Sequence, residues 1–375
     1  MMNKKRKFFS AAFTLTGTII GAGILGLPYV FAKAGFFIGL FWLIFLGLIL
    51  LFVGLCMGEI TLRTKKIYQL PGYSNKYLGK WGGRVMFVAI IFGIYSALLA
   101  YLIGEGQSLS KLFTGGVEYA FIFGIGFWMI MTYLLKGGLE RLKNIGFFGV
   151  IAVIIIITLV FLILLPEVKI ENINYVNSSN FFIPFGVVLF SLLGLNSIPE
   201  LRREIEKDKK IMKKAIIFGA SIPIILYLMF TLVFVGVFGG NVAEIATLSF
   251  TGVFGKFLLL LGICTMMTCF FILSFALRDC FIFDLRNKKI SFFYVSLVPL
   301  LLYILVSFFN LAGFVRILGL GGAISGGIMG ILILFMNRAA KKKGDVKPEY
   351  SIKINWFIIG FLSLVFLAGI LFEIF

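Results

Sequence analysis

Eleven stretches of at least 17 residues contain no Asp, Glu, Lys or Arg: 8–32, 34–58, 85–104, 119–135, 144–166, 172–199, 215–243, 257–277, 290–315, 317–337 and 354–372. A helix that crosses the hydrocarbon core of a bilayer needs about 17 to 25 mainly apolar residues, so each stretch can supply one crossing. The sequence therefore predicts an all-α polytopic membrane protein with eleven transmembrane helices. With 61% hydrophobic and only 14% charged residues, a soluble domain is excluded.

The 35 basic and 16 acidic residues leave a net charge of +19. In a soluble chain that balance would suggest nucleic acid, but here Lys and Arg cluster beside the apolar runs. With the N-terminus in the cytoplasm, segments 4–7, 63–84, 136–143, 202–214, 278–289 and 338–353 hold 30 of the 35, leaving Lys33, Lys111, Lys169, Lys256 and Arg316 outside. That asymmetry follows the positive-inside rule. It predicts an integral protein of the plasma membrane, with lipid and not nucleic acid as its partner and its C-terminus outside. Lys4 to Lys7 imitate the start of a signal peptide, but the following 25 uncharged residues exceed the about 7 to 15 of a signal core. Residues 63–83, with Tyr68, Tyr73, Tyr77 and Trp81, are expected at the cytoplasmic interface, and 239–252 at the outer one. The sequon Asn177-Ser178-Ser179 falls outside.

The chain has no histidine and four scattered cysteines, Cys56, Cys264, Cys269 and Cys280, read as packed thiols. Histidine-based triads, disulfide frameworks and most metal sites are thereby excluded. With no constellation of nucleophile, base and metal, an enzyme is not expected.

The third, fourth and fifth runs begin at 85, 119 and 144, and the eighth, ninth and tenth at 257, 290 and 317, offsets of 171 to 173 residues. Five crossings are an odd number, so a second copy enters the membrane from the opposite side, giving a 5+5 inverted repeat. The units are 1–166 and 172–338, followed by a cytoplasmic linker at 339–353 and an appended eleventh helix at 354–375. Gly23 to Pro28 in helix 1 and Gly194 to Pro199 in helix 6 share this spacing, so both helices are expected to be discontinuous.

Residues 17–28, Gly-Thr-Ile-Ile-Gly-Ala-Gly-Ile-Leu-Gly-Leu-Pro, are too rich in glycine to hold a continuous helix around Gly21 to Gly23. Gly21 to Gly26 also satisfies GxGxxG, but no strand precedes it and the next acid is Glu59, so a dinucleotide fold is rejected. Close packing of small residues is the alternative to a break. A break would aim the amides of the outer half-helix at the membrane interior, where they suit a carboxylate. Helix 6 runs the other way, and a break at Ser191 to Gly194 would leave carbonyls for an ammonium group. Unwound backbone at this depth persists only where it lines a cavity or is packed in protein.

The stretches GTIIGAGILGLPYVFAKAG (17–35) and LFSLLGLNSIPELRREI (189–205), with Met267-Thr268-Cys269-Phe270, resemble the amino acid/auxin permeases and the related aromatic amino acid permeases of the amino acid-polyamine-organocation superfamily. The resemblance implies a leucine-transporter-like fold with substrate between helices 1, 3, 6 and 8. It implies that Gly21, Ala22, Gly23 and Ile24 meet the carboxylate, with Ser191, Leu192, Gly194 and Asn196 around the amine and side chain. It also implies a sodium ion held by the carbonyls of Gly17 and Ile20 and by two adjacent hydroxyl residues, here Thr268 and Cys269. Sodium favours oxygen ligands and one of the four is a thiol, so weak sodium dependence is expected. Protons are the alternative, carried by Glu105. No other cofactor is expected.

Tyr101 and Glu105 share one face of helix 3. Tyr101 is either a pocket wall or ordinary packing, and Glu105 either a solvated outer carboxylate or a proton carrier. Glu59 before Arg63, and Glu200 beside Arg202 and Arg203, are either snorkelled ion pairs or gate charges. No charge lies in 8–32 or 172–199, so neutral substrates follow, apolar or aromatic by preference. The sequence thus predicts a secondary active permease for neutral amino acids. The competing readings are a channel, disfavoured by the scarcity of polar helix stripes, and an amino-acid sensor or scaffold using the same pocket without net transport.

Overall fold

The computed structural model describes residues 4–136, 146–205, 208–285 and 288–375. Apart from one isolated bridge between Gly35 and Val176, the described residues form helices and connections only. The first crossing is a pair, α1 (Lys4–Ile19) and α2 (Gly23–Ala34), bent by 56° across the break. Then come α3 (Phe36–Arg63), α4 (Leu70–Thr114), α5 (Ala120–Lys136), α6 (Gly146–Leu164) and the short outer α7 (Ile170–Asn174). The next crossing is again divided, into α8 (Pro184–Ser191) and α9 (Ile198–Glu204), with a 3-10 turn at Leu195–Ser197 between them. The rest are α10 (Met212–Phe238), α11 (Gly252–Leu285), α12 (Lys288–Phe308), α13 (Phe314–Gly321), a π turn (Gly322–Gly326), α14 (Gly327–Lys343) and α15 (Trp356–Ile374). Among the described residues, eight helices are long and apolar enough to cross a membrane, with Pro184–Glu204 taken as one, and the bent first pair makes a ninth. Ala120–Lys136 and Phe292–Phe308 are shorter apolar helices.

Several crossings end elsewhere than their uncharged runs. α4 continues past Glu105 and Lys111 to Thr114, because Glu105 is buried and Lys111 reaches the Leu248 carbonyl. Residues 172–183 are uncharged but rich in Asn and Ser, and they lie outside the sixth crossing, which starts at Pro184. Arg316 lies within α13 and not between two spans, and α14 runs to Lys343, shortening the linker. A charge interrupts an apolar run without ending a helix whenever its side chain has somewhere to go.

The helices are apolar nearly all round, so their neighbours decide which face is covered. α3 leaves Phe37, Phe41, Ile44 and Leu48 exposed along one stripe, a lipid-facing edge, and buries Leu43, Leu46 and Leu50. α4 lies at the centre, packed against α5, α11, α13 and α14. Within it Gly79 adopts φ +79°, a left-handed conformation that glycine tolerates, and sets residues 70–78 at an angle to the span. Tyr73 and Tyr77 of this first part are buried and only Trp81, at 75% exposure, faces outward, so the segment expected at the interface docks against protein. The Tyr77 hydroxyl lies 2.7 Å from that of Thr64.

Residues 63–78, 200–205 and 344–353, with Asp208, gather on one face, here called inner. Glu59, fully buried, accepts hydrogen bonds there from Arg63 Nε (2.8 Å), Ser351 Oγ (2.9 Å), Asn337 Nδ2 (3.2 Å) and the Ile352 amide (2.8 Å). The expected pair with Arg63 exists, but as part of a network that straps the linker to α3. Asp345 of the linker pairs with Lys76 and accepts from the Lys65 amide at 3.0 Å. The hydrogen bond from Lys76 and then that from the Lys65 amide hold its carboxyl below the ordinary aspartate range. A carboxyl depressed by folding adds stability above its unfolded value, about 3.9, and loses it as the pH falls through the folded value. Because the side chain is 32% exposed, water screens the pair. Asp345→Asn should lower the apparent melting temperature at pH 7 by only about 1 or 2 °C, and that gap should close as the pH is lowered through about 4. A melt series across that pH range checks both.

Candidate functional site

Both breaks fall where glycine density leaves the helix weakest. The backbone unwinds at Ile20 to Ala22 and again at Leu192 to Gly194. The two breaks are in contact. A Cβ built on Gly23 would lie 2.5 Å from Ser191 Oγ and 2.9 Å from Ser191 Cα, so only glycine lets α2 start this close to the end of α8. At the other crossing point a Cβ on Gly194 would strike Ile19 and lie 3.1 Å from Leu15 Cδ1.

Three side chains from three further helices converge on the first break. The hydroxyl of Tyr101 on α4 and the thiol of Cys269 on α11 both face the main chain of Ala22. A Cβ on Gly21 would stand 3.6 Å from the first and 3.7 Å from the second. The third is Tyr227 on α10, whose hydroxyl lies 2.8 Å from the Ile19 carbonyl and 2.9 Å from that of Ser191. Those carbonyls end α1 and α8, where the next helical turn no longer supplies donors. One buried hydroxyl therefore bridges both breaks. Nothing in the sequence marks it, since Tyr227 is one aromatic residue inside a long uncharged run, far from either glycine motif.

The other expected site residues divide into those brought to the breaks and those left apart. Ile24 and Leu192 are buried beside them. Ile20 opens the break, its amide still bonded to the Thr16 carbonyl of α1 at 2.8 Å. Asn196, on the 3-10 turn after the second break, is exposed. A Cβ on Gly17 would meet Val150 of α6, and Thr268 donates to the Cys264 carbonyl of its own helix at 2.8 Å. Of the four expected sodium ligands, Ile20 begins the break and Cys269 lies against it through Gly21 and Ala22, while Gly17 and Thr268 sit within their own helices.

Glu200 is half-buried, pairs with Arg203 at 3.1 Å and accepts from Gln69 Nε2 at 3.0 Å, so it is a surface ion pair tying α9 to the start of α4. Glu105 contradicts the solvated reading, being fully buried with both carboxylate oxygens lacking a hydrogen-bond partner. It lies one turn beyond Tyr101, and the main chain of Met267 on α11 is set against it.

A polar stripe on α1, with residues three or four apart, links the first break to the inner face. Lys7 pairs with Asp208 at 2.6 Å, Ser10 and Thr14 donate to Glu204 at 3.0 and 2.7 Å, and Thr18 donates to the Thr14 carbonyl at 2.8 Å. The spacing Lys7, Ser10, Thr14, Thr18 was legible in the sequence as one face of a helix. A cavity of about 30 Å³ beside the second break is lined by Leu15, Ile19, Leu192, Gly194 and Leu195 among others. It has room for little more than a water molecule.

The fold is similar to that of a solved manganese transporter from Eremococcus coleocola. The two superpose with a TM-score of 0.64 over 98% of this chain and 85% of that one, at 12% identity. The family profile of the tryptophan/tyrosine permeases matches residues 4–375, and the chain belongs to that family. It is 26% identical to glutamine transporter 2 of Aliivibrio fischeri over 239 residues, which are 61% of each chain. It is 25% identical to tyrosine-specific transport system 1 of Haemophilus influenzae over 235 residues, 60% of this chain and 57% of that one. A tryptophan-specific transport protein of Shigella flexneri is 26% identical over 231 residues, 59% of this chain and 55% of that one. The chain thus spans about three fifths of the length of these relatives.

Proposed function

We propose that this chain is a permease that carries neutral amino acids, apolar or aromatic by preference, across the plasma membrane by alternating access. The observation that carries this reading is the meeting of the two breaks at Gly23 and Ser191, with Tyr101, Cys269 and Tyr227 facing Gly21, Ala22 and the ends of α1 and α8. Amides there suit a carboxylate and helix-end carbonyls an ammonium group. The side chains at the breaks are uncharged, so a charged substrate side chain would find no counter-charge. The relatives named for glutamine, tyrosine and tryptophan all take neutral amino acids by name.

The test is counterflow in proteoliposomes with labelled tryptophan, tyrosine, glutamine, lysine and glutamate. Exchange of the neutral members alone is expected. Saturable binding without exchange would instead support a sensor or scaffold.

The same reading makes residues 1–166 and 172–338 inverted repeats, supported by breaks that begin 172 residues apart, at Ile20 and Leu192. With the inner face cytoplasmic, a cysteine at Lys342 should react only with reagents that reach the cytoplasm, and one at Asn241 only from outside. The opposite labelling would overturn the orientation, and labelling of both from one side would overturn the repeat.

For the coupling ion, sodium held by Gly17, Ile20, Thr268 and Cys269 is the first reading, supported by the contact of Cys269 with the break. One observation favours a second. An ionised carboxylate buried as Glu105 is, with no partner, is costly, and a proton removes the charge. Sodium coupling predicts uptake that rises with a sodium gradient, and Cys269→Ser should lower the sodium concentration for half-maximal uptake by roughly three- to tenfold. Proton coupling predicts uptake driven by a pH gradient without sodium. Glu105→Gln should then abolish the pH drive while counterflow continues.

A further inference from the structure

The eleventh helix contributes nothing to the breaks, yet one of its side chains holds the helix that does. α15 buries Ile359, Leu362, Phe366 and Gly369, and the next position on that face, one turn on, is Glu373. A carboxylate on the protein-facing stripe of a lipid-exposed helix signals a role within the protein. Its Oε1 accepts a hydrogen bond from the Gly186 amide at 3.2 Å. Gly186 is the third residue of α8. Pro184 ahead of it has no N–H, and the Phe185 amide bonds the Phe182 carbonyl at 2.9 Å. The donor left over at this helix start is thus capped from a different span.

The carboxylate fills a slot in which two backbones run side by side. A Cβ on Gly319 of α13 would lie 2.7 Å from Glu373 Oε2, and one on Gly186 would lie 2.6 Å from both Glu373 Cδ and the Gly319 carbonyl. The charged group acting on Glu373 is Arg316, one turn earlier on α13. The Phe182 and Phe372 rings stack at 3.8 Å beside the slot, and the Phe185 ring fills the space left by Gly369. At the opposite end of α8, about 7.5 Å from Gly186 at 1.5 Å per residue, stands Ser191 of the second break.

We propose that Glu373 is a positioning residue that latches the outer half of the divided sixth crossing to α15, alongside α13, so that the site opens on that side only when the bond to Gly186 breaks. The proposal rests on the alternating-access reading. It makes the appended helix a regulator of which side the site faces, acting through α8 without touching the substrate.

The native thiol of Cys269, which lies at the first break, supplies the readout. The full chain carrying Cys56→Ala, Cys264→Ala and Cys280→Ala is reconstituted, and Cys269 is modified with a membrane-impermeant thiol reagent added on the outer side. Glu373→Ala should raise the modification rate roughly tenfold over the parent, and Glu373→Gln, which keeps an acceptor but loses the charge, about two- to threefold. Unchanged rates in folded protein would overturn the latch, because a purely structural contact would lower the melting temperature without changing access. If Glu373→Ala is not recovered folded, the Glu373→Gln rate alone decides. Failure of the parent to exchange any amino acid would overturn the permease reading, whereas the Cys269 rates bear on the latch alone.

Discussion

Gly23→Val is expected to abolish amino-acid binding and transport, a loss of at least about a hundredfold, in a protein that still inserts and folds. The Cβ of any other residue would enter the space of Ser191 Oγ and Cα, at 2.5 and 2.9 Å. The second of these is backbone and cannot rotate away. A branched side chain must therefore push α2 off α8, and a displacement of about 1 Å is enough to cost a hundredfold where geometry is demanding. Folding should survive because the rest of α2 remains packed against α3, α8 and α10. Equilibrium binding of labelled tryptophan or tyrosine to detergent-purified protein, with size-exclusion behaviour as the folding control, checks both halves. Unchanged affinity would mean that the glycines serve only close helix packing.

Tyr227→Phe should cost about ten- to a hundredfold in transport rate while leaving the packed ring in place. The substitution removes one oxygen, and with it the hydroxyl 2.8 Å from the Ile19 carbonyl and 2.9 Å from that of Ser191. A buried carbonyl stripped of its donor costs about 1 to 3 kcal/mol, and 1.4 kcal/mol is tenfold. Because the two carbonyls belong to different breaks, the loss should appear as poorer coordination of the half-helices, with maximal rate reduced more than apparent affinity. Initial uptake rates over a substrate series give that division. A variant with parental rates would reduce Tyr227 to a space-filling ring.

The sequence revealed the breaks more clearly than the residues that hold them together. Glycine at 17, 21, 23 and 26 weakens a helix locally, and local weakness is legible in a window of a dozen residues. The second break was found because Gly194 and Pro199 repeat the spacing of Gly23 and Pro28. Tyr227 escaped because its partners lie 208 and 36 residues away in the chain, and a tyrosine in an apolar run looks the same whether its hydroxyl bridges two helices or points at lipid headgroups. Of the two readings of Glu105, burial removes the solvated one, because α4 continues for nine residues beyond it and α11 covers it. Asn196, on the turn between the half-helices, is exposed, and position on a divided helix does not settle which way a side chain turns.

Tyr227 has one hydroxyl proton and two carbonyl neighbours. Whichever oxygen receives it, the other is free to accept from elsewhere. An ammonium group brings three N–H donors and can supply one. Occupancy should then register as heat resistance that grows with ligand concentration, by linkage. The same accounting ranks ligands by their amino group. Tryptophan should protect the purified protein against thermal unfolding, while the acid that keeps its ring and carboxylate but lacks the amine should not.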